Sequence, residues 1–189
     1  MAYLLDSDTF ILAKNTHYGM AFCPGYWEWI IRENERGAVF SIDSVYNELC
    51  KQKDELTEWA KARGTALFLP MDMETNAQMV RASNHVNATP SPTKRIEITR
   101  FLKGADPLLL ACALAHGHTI VTHEVYVAAP NFAGVKIPNV CKHFGVRCIP
   151  PHQMLNELGA SFGLLPKRAA ISPEPTDLPE EEELDENDW

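Results

Sequence analysis

Five short apolar runs recur along the chain, at Tyr3–Leu5, Ala38–Ile42, Ala66–Leu69, Thr119–Thr122 and Val146–Ile149. Helical patterns fill the intervals: Trp27–Arg32 after Pro24-Gly25, a stretch opening at Asp43-Ser44, then Asp54–Arg63 ended by Gly64. Residues 72–87, Lys94–Lys103, Asp106–His116 and Pro151–Leu158 complete the helical set, and Asn87–Thr93 reads as a loop with two prolines. Strands alternating with helices predict an α/β protein. The expected fold is a three-layer sandwich around a mostly parallel sheet of about four to five strands.

That topology has a chemical consequence. In a parallel α/β sheet the strand C-termini and the N-termini of the following helices share one edge, where ligands bind. Asp6 closes the first strand, and Glu124 stands two residues beyond Thr119–Thr122. Asp106 opens the helix that leads into that strand. Glu48 is six residues past the second strand, about 9 Å along its helix, and shares a face with Val45, Leu49 and Gln52. Four carboxylates are therefore expected at one edge. Two unit charges ~4 Å apart repel by ~4 kcal/mol at an effective dielectric of 20, which protonation or a bound cation relieves. All-oxygen ligation suits Mg²⁺ or Mn²⁺, the ions of phosphoryl transfer and phosphodiester hydrolysis.

Each acid also has a plain structural reading. Asp106 before Pro107 suits a helix N-cap. Asp8 suits the cap of a short helix holding Phe10 to Leu12, and Asp43 the cap of the helix bearing Glu48. Glu48 at a helix boundary and Glu124 in a loop are both compatible with solvated carboxylates. The joint placement, rather than any one residue, favours a site.

The chain has 189 residues with 25 acidic against 17 basic side chains, a formal net charge of −8. A nucleic-acid binder usually shows a basic excess, so where the charge sits matters. From Lys167 onward there are two basic and nine acidic residues, which leaves residues 1–166 at a net −1. The chain is divided accordingly into a domain of residues 1–166 and an acidic tail of residues 167–189, expected to be disordered. The plain reading of the tail is a solubilising terminus; the alternative is that its charge weakens non-specific nucleic-acid binding, most strongly at low salt.

The longest strongly apolar run, Pro107–Ala115, falls short of the ~20 residues of a membrane-spanning helix, and no membrane partner is expected. The first residues meet acid at Asp6 without a basic n-region, unlike a secretory signal. Five cysteines without a C-x-x-C pair read as reduced thiols of a cytoplasmic protein. Cys141, His143, Cys148 and His152 match no common zinc spacing. His116 and His118 flank Gly117 as a helix-to-strand turn.

YLLDSDTFI at the start, SIDSVYNEL around Glu48 and ADPLLLACALAHGHTIVTHE further on together resemble the PIN-domain family, metal-dependent ribonucleases often found as toxins of toxin–antitoxin pairs. The resemblance covers roughly residues 1–150, and its motifs stand in the family's order. It implies that Asp6, Glu48 and Asp106 hold the metal. Glu124 occupies the position where the family usually has Asp, and its longer side chain implies a contact through water. Thr122 matches the family's Thr just before that acid, expected to donate a hydrogen bond that orients it. The implied activity is Mg²⁺- or Mn²⁺-dependent hydrolysis of RNA phosphodiesters, with an antitoxin protein as partner. Lys94, Arg95, Arg100 and Lys103 are candidate RNA-backbone contacts, against the plainer reading of a solvated helix face. Trp27 and Trp29 read as core or homodimer-contact residues.

Two rivals remain in view. LLDSDT also resembles the D-x-D-x-T opening of haloacid-dehalogenase-type phosphatases, with Asp6 as nucleophile and Asp8 as acid/base, but no later G-D-x-x-x-D follows. A PIN-like module that binds RNA or protein without cutting is the other.

Overall fold

Leu4 and Leu5 are fully buried, as a strand covered on both faces by helices must be. They belong to β1 (Tyr3–Leu5), the centre of the sheet in a computed structural model that describes residues 1–88, 95–128 and 135–163. β2 (Val39–Ile42) flanks β1 on one side and β4 (Thr119–Val121) on the other, with Tyr3 opposite both Val39 and Thr119. β3 (Phe68–Leu69) extends the sheet beyond β2, and β5 (Cys148–Ile149) extends it beyond β4. The order β3-β2-β1-β4-β5 is parallel throughout. The chain builds outward from β1 to β3, then crosses back to lay β4 on the opposite side. The C-terminal ends of β1 and β4 therefore frame the topological switch point, the crevice where open parallel sheets bind ligands.

Helices connect every pair of strands. α1 (Ser7–Leu12) follows β1 and continues into a wider π-helical turn, Ala13–His17. α2 (Pro24–Glu35) leads to β2, with Pro24 and Gly25 inside its first turn rather than before it. α3 (Asp43–Leu49) and α4 (Glu55–Arg63) lead to β3 through a 3₁₀ turn at Gly64–Ala66. That turn takes the first part of the expected strand Ala66–Leu69, leaving β3 two residues long. α5 (Met73–Ala88), α6 (Arg95–Lys103) and α7 (Asp106–His116) precede β4. α8 (Ile137–Phe144) and α9 (Pro151–Glu157) bracket β5.

α7 is apolar on all sides and is buried, with Leu109, Leu110 and Ala111 at 1% exposure or less. It ends where Gly117 takes φ +67, the left-handed cap that glycine adopts without a Cβ clash. Trp27 and Trp29 are buried in the core cluster. The expected loop Asn87–Thr93 begins inside α5 at Asn87 and Ala88, and its remainder lies outside the described residues. The acidic tail, residues 167–189, also lies outside them. No described helix is long and apolar enough to cross a membrane.

Candidate functional site

β1 delivers Asp6 to the switch point, 4% exposed. Its Oδ1 accepts the Ser7 amide at 2.7 Å and caps α1, while Oδ2 accepts from Thr122 Oγ1 at 2.9 Å. Burial, followed by the nearby Asp8 and Asp106 carboxylates, pushes the Asp6 carboxyl well above the usual carboxylate range.

The cap of α1 is thus Asp6 and not Asp8, because the helix starts at Ser7. Asp8 lies in the first turn of α1 and faces β4. Its Oδ2 accepts from Thr122 Oγ1 and from the His123 amide, each at 3.0 Å. Sequence reasoning underrates Asp8, since a D-x-D pair at a strand end looks like ordinary capping until the fold brings Thr122 opposite it.

Thr122 is buried, and its hydroxyl is the node of the crevice. It faces both Asp6 and Asp8, and it accepts the Glu124 amide at 3.1 Å. Its hydroxyl therefore orients the two aspartates and the Glu124 backbone rather than the Glu124 carboxylate.

Asp106 arrives from the other direction, in the first turn of α7. The cap position belongs to Ala105, without a side-chain cap bond, so capping does not account for Asp106. Its carboxyl is pushed up to about 7 by burial, then by Glu124, Glu48 and Asp8 in that order. Among the described residues no cationic side chain pairs with it. Asp106 in turn helps to raise Asp6, after burial and Asp8.

The two glutamates are held by backbone amides. Glu48 Oε1 accepts from the Ala105 amide at 3.0 Å, at the positive end of α7. Glu124 Oε2 accepts the Ile137 amide at 2.8 Å and Oε1 accepts from Lys136 Nζ at 2.6 Å. Glu124 thereby serves the N-terminus of α8, a helix that the sequence reading passes over. Pro138 in its first turn and Gly145 after Phe144 were the available signals. Asp43 does not cap α3 either, since the cap position is Ile42 and Asp43 accepts from the Ser44 hydroxyl.

An all-oxygen set with excess negative charge suits a hard divalent cation. As the side chains stand, no group of three or more His, Cys, Asp or Glu among the described residues is arranged to hold a metal ion. Glu48 and Glu124 are turned toward amides instead. Of the four residues Cys141, His143, Cys148 and His152, the two thiols are hydrogen-bonded to each other, while His143 stacks on His85 at 3.5 Å between centroids and His152 lines a separate cleft. On α6, Arg95, Arg100 and Lys103 are exposed, and Arg100 pairs with Glu97 at 3.0 Å. Lys94 lies outside the described residues.

Residues 3–162 match the family described as "Domain of unknown function (DUF4411)". The chain belongs to that family. No curated protein matches this DUF4411 member. Among solved structures it is similar to VapBC2 from Rickettsia felis bound to a DNA fragment from their promoter, with 13% identity over 79% of this chain and 98% of that chain, at a TM-score of 0.44.

Proposed function

We propose that the crevice between β1 and β4 is the divalent-cation site of an endoribonuclease. The observation that carries this reading is the gathering of acids at the switch point, where Thr122 Oγ1 stands 2.9 Å from Asp6 Oδ2 and 3.0 Å from Asp8 Oδ2, and where Glu124, Glu48 and Asp8 add to burial in raising Asp106. Such a centre holds either a proton or a cation at neutral pH, and a cation is what phosphodiester hydrolysis uses. The order Asp6, Glu48, Asp106, Glu124 along the chain supports the PIN resemblance at the same edge.

Asp6, Asp8 and Asp106, with Glu48 and Glu124 from their places on backbone amides, would supply the negative charge for Mg²⁺ or Mn²⁺. Bound there, the ion supplies charge neutralisation at phosphate and a more acidic water. Thr122 fixes the orientations of Asp6 and Asp8, and the buried apolar walls of β1 and β4 keep the carboxylates from being solvated. Asp106 is the group able to exchange a proton near neutral pH.

Purified protein incubated with Mn²⁺ or Mg²⁺ and structured RNA tests the proposal. Cleavage is expected with either ion, lost in EDTA and lost in Asp6→Asn. Cleavage unchanged in Asp6→Asn would assign the activity to a contaminant and remove this site.

The second reading, a module that binds RNA or protein without cutting, is favoured by the commitment of Glu48 and Glu124 to backbone amides. Calorimetric titration with Mn²⁺ separates the two, since the second reading needs no ion. Within the nuclease reading, the toxin role calls for an antitoxin. A small DNA-binding protein encoded in the neighbouring open reading frame is the corresponding expectation.

A further inference from the structure

Beside the acidic crevice lies a second cavity that the carboxylates do not use. It has a volume of about 270 Å³ and is lined by His17, Tyr18, His123 and His152 around a floor that includes Tyr26 and Leu155. Ligand pockets for drug-sized molecules run roughly 300–1,000 Å³, so this one has room for a single planar heterocycle.

Its wall has a specific cause. α1 does not stop at Leu12 but widens into the π turn Ala13–His17, and the Tyr18 amide closes on the Ala13 carbonyl at 2.7 Å. π turns of this kind are rare and often stand at functional sites. Here the turn places His17 and Tyr18 on the rim. Tyr18 is fixed from behind, stacked on Tyr26 at 4.2 Å and 4°, and its carbonyl accepts from Trp27 Nε1 at 2.7 Å. The opposite rim is His123, whose amide is bonded to Asp8, so the cleft and the acids share a wall. His17, His123 and His152 are exposed, while Tyr26 and Leu155 are buried. Among the described residues no carboxylate lines the cleft.

Flat rings around an apolar floor are the surface on which unpaired bases stack. We infer that this cleft is a nucleobase subsite, which receives one unpaired base of single-stranded RNA adjacent to the phosphate at the acidic crevice. The inference rests on the nuclease reading for that adjacency. The imidazole and tyrosine rings hold the base, and Asp8 with the His123 amide marks the step from base to backbone. A base seated here selects unpaired RNA over duplex, because a stacked and paired base is unavailable to the cleft.

The test uses the full-length protein in EDTA, so that binding is read without cleavage. The probe is a short single-stranded RNA carrying the fluorescent base 2-aminopurine at successive positions. Quenching is expected at one position, with weaker binding to the same sequence as a duplex. The double variant His123→Ala/His152→Ala should bind roughly tenfold more weakly, in keeping with stacking on one base. Since both side chains are exposed, its thermal unfolding should match the parent. His123→Phe/His152→Phe should retain the affinity, because a phenyl ring stacks as an imidazole does.

Equal binding by the parent and the alanine variant, loss in the phenylalanine variant, or equal affinity for duplex would overturn the subsite. An equal response to single-stranded DNA would overturn its assignment to RNA. Quenching without any metal-dependent cleavage would sink the nuclease reading and leave the base cleft standing. Cleavage that ignores the histidine variants would do the reverse.

Discussion

Thr122 and Asp6, 116 positions apart in the chain, meet across the β1–β4 boundary at 2.9 Å, hydroxyl to buried carboxylate. The same hydroxyl stands 3.0 Å from Asp8 Oδ2. A threonine hydroxyl has one proton to donate, so it cannot satisfy two ionised carboxylates together. A proton on Asp6, whose carboxyl burial holds well above the usual carboxylate range, relieves this, and in the proposed reading a cation does the same. Thr122→Val keeps the shape and removes the hydroxyl. It should destabilise the protein by about 1–3 kcal/mol, the cost of leaving a buried polar group without its partner, and abolish metal-dependent cleavage. Thr122→Ser should retain most of both. Urea unfolding and an RNA cleavage assay on the three proteins check this.

Glu48 has a structural task and a proposed ionic one, and two substitutions separate them. Glu48→Gln keeps an oxygen for the Ala105 amide but removes the charge that helps to raise Asp106. It should fold with nearly the parent stability and bind Mn²⁺ more weakly. Glu48→Ala also strips the α7 N-terminus of its acceptor and should cost an additional ~1 kcal/mol. Calorimetric Mn²⁺ titration and thermal unfolding read the two effects apart. Equal Mn²⁺ affinity in Glu48→Gln and the parent would exclude Glu48 from the ion's surroundings.

Glu124 is anchored twice, to Lys136 Nζ and to the Ile137 amide. The Lys136 ammonium is 44% exposed, so its ion pair contributes little, while the amide bond holds the start of α8. Lys136→Met should therefore change the melting temperature by less than about 2 °C, and Glu124→Ala should lower it by roughly 2–4 °C. If Glu124 turns inward to take part in ion binding, Lys136→Met should also raise Mn²⁺ affinity by freeing its carboxylate.

Part of this arrangement is legible in the sequence. Strand ends and helix starts are set by local pattern, so Asp6, Asp106 and Glu124 could be assigned to one edge from alternation alone. Legibility failed where a side chain's partner comes from another element. Asp8 looks like a cap until Thr122 and the His123 amide arrive opposite it. Glu48 and Glu124 look like free acids because their partners are the backbone amides of Ala105 and Ile137, and an amide leaves no mark in a sequence. The π turn Ala13–His17 lies beyond the short helix that the sequence suggests around Phe10 to Leu12, and Tyr18, whose amide closes it, packs on Tyr26 of another element.

The pH dependence of stability follows from Asp106. Its folded carboxyl titrates near 7, while an unfolded Asp titrates near the model-compound value of 3.8. Between these two values the folded protein binds more protons than the unfolded chain, so this group's contribution to stability falls as pH rises. It is fully present below about pH 4 and lost above about pH 7, at up to about 1.4 kcal/mol per pH unit. Asp6, held well above its usual range by burial first, acts in the same sense, whereas His85 and His118, whose imidazoles are held below their usual range by burial first, act in the opposite one. Comparison with Asp106→Asn removes this carboxyl together with its upward push on Asp6. In EDTA, thermal unfolding from pH 5 to pH 8 should show a steeper loss of stability in the parent than in the variant. Mn²⁺ binds the ionised form, so the stabilisation it gives should grow over the same range and be lost in Asp106→Asn. Parallel curves for the two proteins, with or without Mn²⁺, would show that Asp106 is not the centre on which the acids converge.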